Sequence, residues 1–190
     1  MAEQPRIRAA TSDDAAAIAA IYAPYVTGSA ASFEIEPPTA AAMAERIKRL
    51  IPTHPWIVAE SDRVVGYAYA APFHHRPAYA PSVEVSVYVA DGARSGGIGG
   101  ALLGALLREL DELGFANVLA GVALPNDASV RLFEKAGFEH VGTYRKIGHK
   151  LGAWHDVGWW QLRLSDSTAR APPRLNARAA TIHGFRVNGG

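Results

Sequence analysis

The most constraining stretch of the chain is "VEVSVYVADGARSGGIGGALLGALLRELDELG", residues 83–114. It opens with strict alternation. Val83, Val85, Val87 and Val89 fall on one face of a strand, and Glu84, Ser86 and Tyr88 fall on the other. It closes with Ile98, Leu102, Ala105, Leu106, Leu110 and Leu113 at helical spacing, and Gly114 predicts the stop. An arginine and a cluster of glycines stand between. Small residues there let a backbone turn sharply and approach a ligand. The first N–H groups of the helix then point at an anion, and Arg94 adds positive charge.

Two common phosphate loops fail on this stretch. A Walker loop ends in Gly-Lys-Ser/Thr, whereas Ala101 and Leu102 follow here. The dinucleotide fingerprint needs a third glycine where Leu102 stands, and an acidic residue about 20 positions on within a βαβ unit. What remains is Arg94-x-x-Gly97-x-Gly99 between a strand and a long helix, or a glycine-rich turn that merely leads into that helix.

The rest of the chain reads as an α/β arrangement. "IRAA" is a short strand. "TSDDAAAIAAIYAPYV" is a helix that Thr11 or Ser12 caps, with Asp13 and Asp14 in its positive first turn. "TGSAASFEIEPP" is a loop, and "TAAAMAERIKRLI" a second helix with Met43, Ile47 and Leu50 on one face. "PWIVAE" and "VVGYAYAAP" form a hairpin around "SDR", so the sheet is largely antiparallel before Val89. After the glycine segment come a strand "NVLAGVAL", a short helix "PNDASVRLFEKAG", and two strands joined by "HKLGAWH". Residues 1–164 read as one domain, and residues 165–190 lose apolar periodicity and read as an extended or disordered tail.

Composition bounds the partners. The chain has 190 residues, 49% of them hydrophobic, enough for one domain with a substantial core. With 19 basic and 18 acidic residues there is no surplus charge for a nucleic-acid surface. No cysteine is present, which excludes disulfides, thiolate metal sites and a cysteine nucleophile. No secretory h-region and no apolar run of membrane-spanning length stands out, so the expected setting is cytoplasmic.

The pattern Arg94-x-x-Gly97-x-Gly99 between a fourth strand and a third helix resembles the pyrophosphate loop of the GNAT superfamily of N-acetyltransferases. "VEVSVYV", "ALPNDASVRLFEKAGF" and "GHKLGAWHDVGWWQLRL" are similar to the phosphinothricin and methionine sulfoximine acetyltransferase group. The likeness covers about residues 5–164. It implies the GNAT fold: a mixed, mostly antiparallel sheet splayed between strands 4 and 5 and flanked by about four helices. It also implies acetyl-CoA as cosubstrate, held by the main chain of Val87, Tyr88 and Val89, by Arg94, Ser95, Gly96, Gly97, Ile98, Gly99 and Gly100, and by Asn126 from the far side.

Transfer in this family is direct, without an acyl-enzyme. An α-amino group of pKa about 8 is roughly one tenth unprotonated at neutral pH, so a base helps. The resemblance assigns that role to Glu84, which stands in an otherwise apolar strand where burial would raise its pKa. Phe133 departs from the group's histidine and cannot give a proton, so the general acid toward the leaving thiolate has no assigned residue. Tyr88, another side chain or water would have to serve. Around the acceptor the likeness implies Phe33, His74, Arg76 and Tyr79, with Arg76 able to clamp a carboxylate or phosphinate and His74 standing where phosphinothricin enzymes carry lysine. Phe33 reads equally well as a core anchor for its loop, and His75 as a surface residue. The histidines lack helical metal-ligand spacing, and no metal is expected. Relatives form homodimers, and Trp154, Trp159 and Trp160 offer apolar area for such an interface.

The expected activity is therefore acetylation of a small amino acid or analogue of the phosphinothricin, methionine sulfoximine or sulfone type. Acetylation of another amine (polyamine, antibiotic or protein N-terminus) and an acetyl-CoA-binding sensor with little turnover are the alternatives.

Overall fold

The computed structural model describes residues 5–94 and 96–164 together with the main chain of Phe185–Arg186. Its strands are β1 (Arg6–Ala9), β2 (Trp56–Glu60), β3 (Val64–Pro72), β4 (Ser82–Val89), β5 (Asn117–Leu124), β6 (Glu139–Lys150), β7 (Ala153–Arg163) and β8 (Phe185–Arg186). Its helices are α1 (Ala15–Gly28), α2 (Ala40–Leu50), α3 (Ile98–Leu113) and α4 (Asp127–Lys135). The strands form one sheet in the order β6-β7-β5-β4-β3-β2-β1-β8. The β4–β5 pair is parallel, while the other neighbours among the described residues run antiparallel.

The parallel pair is short. Ser82, Val83 and Glu84 face Asn117, Val118 and Leu119, and no ladder joins the two strands beyond Glu84. On its other side β4 stays paired with β3 all the way to Val89. The sheet therefore forks at Glu84, between the two strands that the family resemblance implies should splay.

Local chemistry accounts for the helix boundaries. Thr11 and Asp14 make a reciprocal capping box before α1, and the Thr39 hydroxyl accepts from the Ala42 N–H at the start of α2. Gly97 (φ 70°) and Gly114 (φ 89°) bracket α3 in left-handed conformations that a Cβ would disfavour. The Asn126 side chain caps α4 through the Ser129 N–H.

The two faces of the sheet are covered differently. Helix α3 lays Ile98, Leu102, Leu103, Leu106 and Leu110 on the side carrying Val83, Val85 and Val89. Helices α1 and α2 cover the opposite side, where Ile18, Tyr22, Met43 and Ile47 pack on Val58 and Tyr67. Leu103 joins the α3 stripe unforeseen, whereas Ala105 and Leu113 are only partly buried.

Two expectations need adjusting, and a third lies mostly outside the described residues. "HKLGAWH" is mostly strand: β6 runs to Lys150 and β7 resumes at Ala153, so only Leu151 and Gly152 turn, both at positive φ as a tight hairpin requires. Of the three tryptophans proposed for an interface, Trp160 is core, Trp159 packs on Gly121, and Trp154 alone is exposed. The tail reading for residues 165–190 lies outside the described residues, apart from Phe185–Arg186, which pair with β1. No helix among the described residues is long and apolar enough to cross a membrane.

Candidate active site

The fork opens into a cleft of about 1160 Å³ lined from four sides. Ser86 to Val89 of β4 form one wall and Gly121 to Leu124 of β5 the other. Gly97, Gly99 and Gly100 at the start of α3 close one end, and Asn126, Ser129 and Phe133 of α4 lie along the far side.

The glycine loop leaves main-chain donors free at the start of α3. The first intrahelical bond of α3 runs from the Ala101 N–H to the Gly97 carbonyl (3.0 Å), so the amides of Ile98, Gly99 and Gly100 have no acceptor within the helix. Those amides carry the positive end of the helix dipole. Arg94 sits beside them, paired with Asp91 at 2.5 Å and laid over the Tyr25 ring at 4.9 Å. Its charge is thus partly compensated within its own turn. Gly96 is exposed next to Gly97. Ser95 lies outside the described residues.

Along β4 the three residues expected to offer main-chain groups divide. The Ala90 N–H bonds the Val65 carbonyl, which sets the hydrogen-bonding phase of the β3–β4 ladder. In that phase the main chain of Tyr88 faces β3, and those of Val87 and Val89 face the fork. Tyr25 of α1, which the sequence analysis does not single out, occupies Val89. Its hydroxyl donates to the Val89 carbonyl (2.6 Å) and accepts from the Val89 N–H (3.2 Å). Val87 is left with its peptide groups turned into the cleft. The side chain of Tyr88 is held by the rings of Tyr22 (4.9 Å), Tyr25 (5.0 Å) and Tyr67 (5.2 Å). Burial pushes its hydroxyl well above the ordinary phenol range, which keeps it protonated.

Glu84 occupies the crotch of the fork: it faces Ala71 on β3 and Leu119 on β5 in the last rung before the strands part. Its carboxyl has no hydrogen-bond or ion-pair partner among the described residues, and burial alone raises its pKa above the usual carboxylate value. The Tyr69 hydroxyl, on the neighbouring strand, feels its charge. The lining of the cleft begins one residue further on, at Val85, so Glu84 stands at the root of the fork rather than in the cleft wall; a partly desolvated, unpaired carboxylate there suits proton abstraction from an ammonium.

The residues expected around an acceptor fall in two places. His74, Arg76 and Tyr79 belong to the loop between β3 and β4. There the His74 ring lies 4.8 Å from Tyr79 and 4.3 Å from His75, and its Nδ1 accepts from the Arg76 N–H (3.2 Å). This loop docks through Phe73 on Trp159 (6.1 Å) and leaves the Arg76 side chain exposed. Phe33 belongs to the α1–α2 loop. Its ring rests on Gly148, where a Cβ would overlap it, and meets the His155 ring edge-on at 6.1 Å. Among the described residues no ring contact joins Phe33 to the His74–Tyr79 cluster. Phe133 is buried against Phe138 (5.2 Å) and lines the cleft with carbon alone. Asn126 spends its carbonyl oxygen on the α4 cap and lines the cleft beside it. Among the described residues no group of three or more His, Cys, Asp or Glu side chains is placed to hold a metal.

Known proteins share this arrangement. Residues 7–159 match the family described as acetyltransferase (GNAT) domain. A phosphinothricin N-acetyltransferase of Streptomyces viridochromogenes is 43% identical over 169 residues, covering 88% of this chain and 91% of the relative. An L-methionine sulfoximine/L-methionine sulfone acetyltransferase of Pseudomonas aeruginosa is 36% identical over 121 residues, covering 63% of this chain and 70% of that protein. The crystal structure of a GNAT phosphinothricin acetyltransferase from Sinorhizobium meliloti in complex with AcCoA superposes with a TM-score of 0.86 at 34% identity, covering 92% of this chain and 97% of that one. By fold, by forked sheet and by sequence, the chain belongs to the GNAT family of N-acetyltransferases, in the group of the phosphinothricin and methionine sulfoximine acetyltransferases.

Proposed function

We propose that the protein moves an acetyl group from acetyl-CoA directly to the amino group of a small amino acid with an acidic or oxidised side chain, and that Glu84 is the general base. The observation that carries this reading is the position of Glu84: an unpartnered carboxyl, its pKa raised by burial, at the point where β4 and β5 separate. Acetyl-CoA supplies an activated acyl group. The chain supplies the rest. The free amides of Ile98, Gly99 and Gly100 suit a diphosphate, the turned-in peptide groups of Val87 suit an extended amide-bearing arm, and the cleft is large enough for both. The similar structure from Sinorhizobium meliloti is a complex with AcCoA, which supports the same cosubstrate here.

In this reading Glu84 takes one proton from the acceptor's ammonium, the freed amine attacks the thioester carbon, the C–S bond breaks, and the nitrogen's second proton passes to the departing thiolate or to solvent. Phe133 offers no proton to the departing sulfur. A thiol of pKa about 8.5 released as thiolate at neutral pH costs only about 2 kcal/mol, so solvent can protonate it afterwards. Arg76, exposed on the β3–β4 loop, is the group we assign to the acceptor's acid end. The exposed row Val141, Tyr144, Ile147, Leu151 and Trp154 on the β6–β7 hairpin is the surface we assign to a homodimer.

Free-thiol release from acetyl-CoA tests the reading, measured with L-phosphinothricin, methionine sulfone, spermidine and an alanine-terminated peptide. Release with one of the first two at low concentration is the expected result. Release with spermidine or peptide alone would place the substrate elsewhere. Tight cofactor binding with no release from any amine would favour a sensor, the reading that Phe133 keeps open.

A further inference from the structure

Lys150 is a buried cation that no step of the proposed chemistry uses. It ends β6 at 5% exposure, yet none of the carboxylates among the described residues pairs with it. Its Nζ donates instead to the main-chain carbonyl of Ser32 at 2.5 Å, a contact across 118 residues of chain. Burial lowers the pKa of the ammonium, and the field of Glu34 opposes that shift. A charged donor held in such a place normally answers a need for position, since an uncompensated cation is costly to bury.

Its partner loop, residues 29–36, shows what is being positioned. Ser32 is itself buried. Its hydroxyl lies 2.6 Å from the Tyr22 hydroxyl, and Tyr22 donates its one proton to Glu34 Oε1 (2.9 Å), so Ser32 must donate to Tyr22. Arg46 of α2 grips both oxygens of Glu34 at 2.6 and 2.8 Å. The loop is thus tied to α1, to α2 and, through Lys150, to the far hairpin. Ser29, Ala30 and Ala31 of the same loop line the active-site cleft. So does His155, whose Nε2 lies 3.1 Å from the Lys150 carbonyl and whose ring meets Phe33. Lys150 therefore touches both components of this wall, one through its side chain and one through its main chain. Gly148, two residues earlier, leaves the space in which the Phe33 ring lies.

We propose that Lys150 is a positioning residue, which clasps the 29–36 loop to the β6–β7 hairpin and so sets Phe33 and His155 for the acceptor amine. The clasp acts on the acceptor side of the cleft and leaves the acetyl-CoA side, built by α3 and β4, alone. This inference rests on the reading of the cleft as an acetyltransferase site. It can still be tested apart from that reading.

The variant Lys150→Met keeps the side chain's length and apolar stem and removes the charge and the donor. Hydrogen exchange on folded protein gives the first readout, independent of any substrate. Faster exchange is expected at amides of residues 29–36, with α3 unchanged. Steady-state kinetics give the second. The KM for the best amine is expected to rise about tenfold, the equilibrium factor that corresponds to about 1.4 kcal/mol, while the KM for acetyl-CoA stays within about twofold. Phe33→Ala should reproduce the kinetic split, and the double variant should be no worse than Phe33→Ala alone, because both act through one ring. Should Lys150→Met not fold, Lys150→Gln, which retains a neutral donor, carries the same test with a smaller expected split. Unchanged exchange at 29–36, or a loss shared equally by both substrates, overturns the clasp. A wild type that acetylates no amine overturns the function while the exchange result still decides the clasp.

Discussion

The two faces of the sheet use opposite chemistry on the same strands. Toward α3, β4 presents Val83, Val85 and Val89 to Leu102, Leu103, Leu106 and Leu110. Toward α1 and α2, the same strand presents Glu84, Ser86 and Tyr88 to a layer of tyrosines. Tyr67 stacks on Tyr88 at 5.2 Å, and Trp56 stacks on Tyr69 at 4.3 Å. One face supplies stability by burial, which scales with apolar area. The other holds hydroxyls and a carboxyl in fixed places, at some expense in desolvation. The comparison teaches that reactive groups sit on the face that contributes less to holding the fold. Changes on the two faces should therefore have separable consequences.

The largest effect should come from the polar face and appear in rate. Glu84→Gln keeps the shape and removes the base. Turnover with the best amine should fall by about 10²–10⁴-fold while calorimetric affinity for acetyl-CoA stays the same. In the wild type, kcat/KM should rise with pH through a value above that of an ordinary carboxylate, because burial raises the Glu84 pKa and only the ionised form accepts a proton. That limb should vanish in the variant. Turnover unchanged at saturating amine would remove Glu84 from the chemistry.

Next in size is a change on the aliphatic face that should appear in stability alone. Leu106 is fully buried in α3. Leu106→Ala should cost about 2–5 kcal/mol in denaturant unfolding, with kcat near wild type for the fraction that is folded. A selective loss of turnover there would mean that the two faces are coupled more tightly than their chemistry suggests.

The smallest effect runs the other way. A carboxyl whose folded pKa is raised stabilises the fold fully only at acid pH, and that contribution is lost as pH rises through the raised value. At neutral pH the ionised Glu84 is therefore a burden on the native state. Glu84→Gln should raise Tm at pH 7 and change it little at pH 4. A lower Tm at pH 7 would mean that the carboxylate has a stabilising partner.

Much of this contrast can be read in the chain itself. The valine alternation of β4, the cap at Thr11 and the glycines around α3 are local signals, and each marks an element the structure contains. Glu84 stands out as a charge within an apolar run. The features that escape such reading are contacts between distant segments. Tyr25 grips Val89 across 64 residues, yet in sequence it is one more apolar position of α1. The Lys150–Ser32 contact spans 118 residues, and a lysine near a hairpin turn ordinarily reads as solvated. The turn at Leu151–Gly152 was hidden because a leucine at φ 51° gives no compositional cue for a tight bend. Arg94 reads as a free charge because its pairing with Asp91 depends on how the intervening turn folds.

The fork has a mechanical corollary. Among the described residues, three rungs, from Ser82 opposite Asn117 to Glu84 opposite Leu119, and the Ala116 and Asn117 N–H bonds to the Pro81 carbonyl just before them form the main-chain seam between the leaf containing β1 to β4 and the leaf made of β5 to β7. The sheet is like a book bound along a short stretch of its spine, with the reactive carboxyl at the last stitch. Any shift in the angle between the leaves is read first at Glu84, so the gap across which the acyl group passes and the placement of the base are set by one and the same joint.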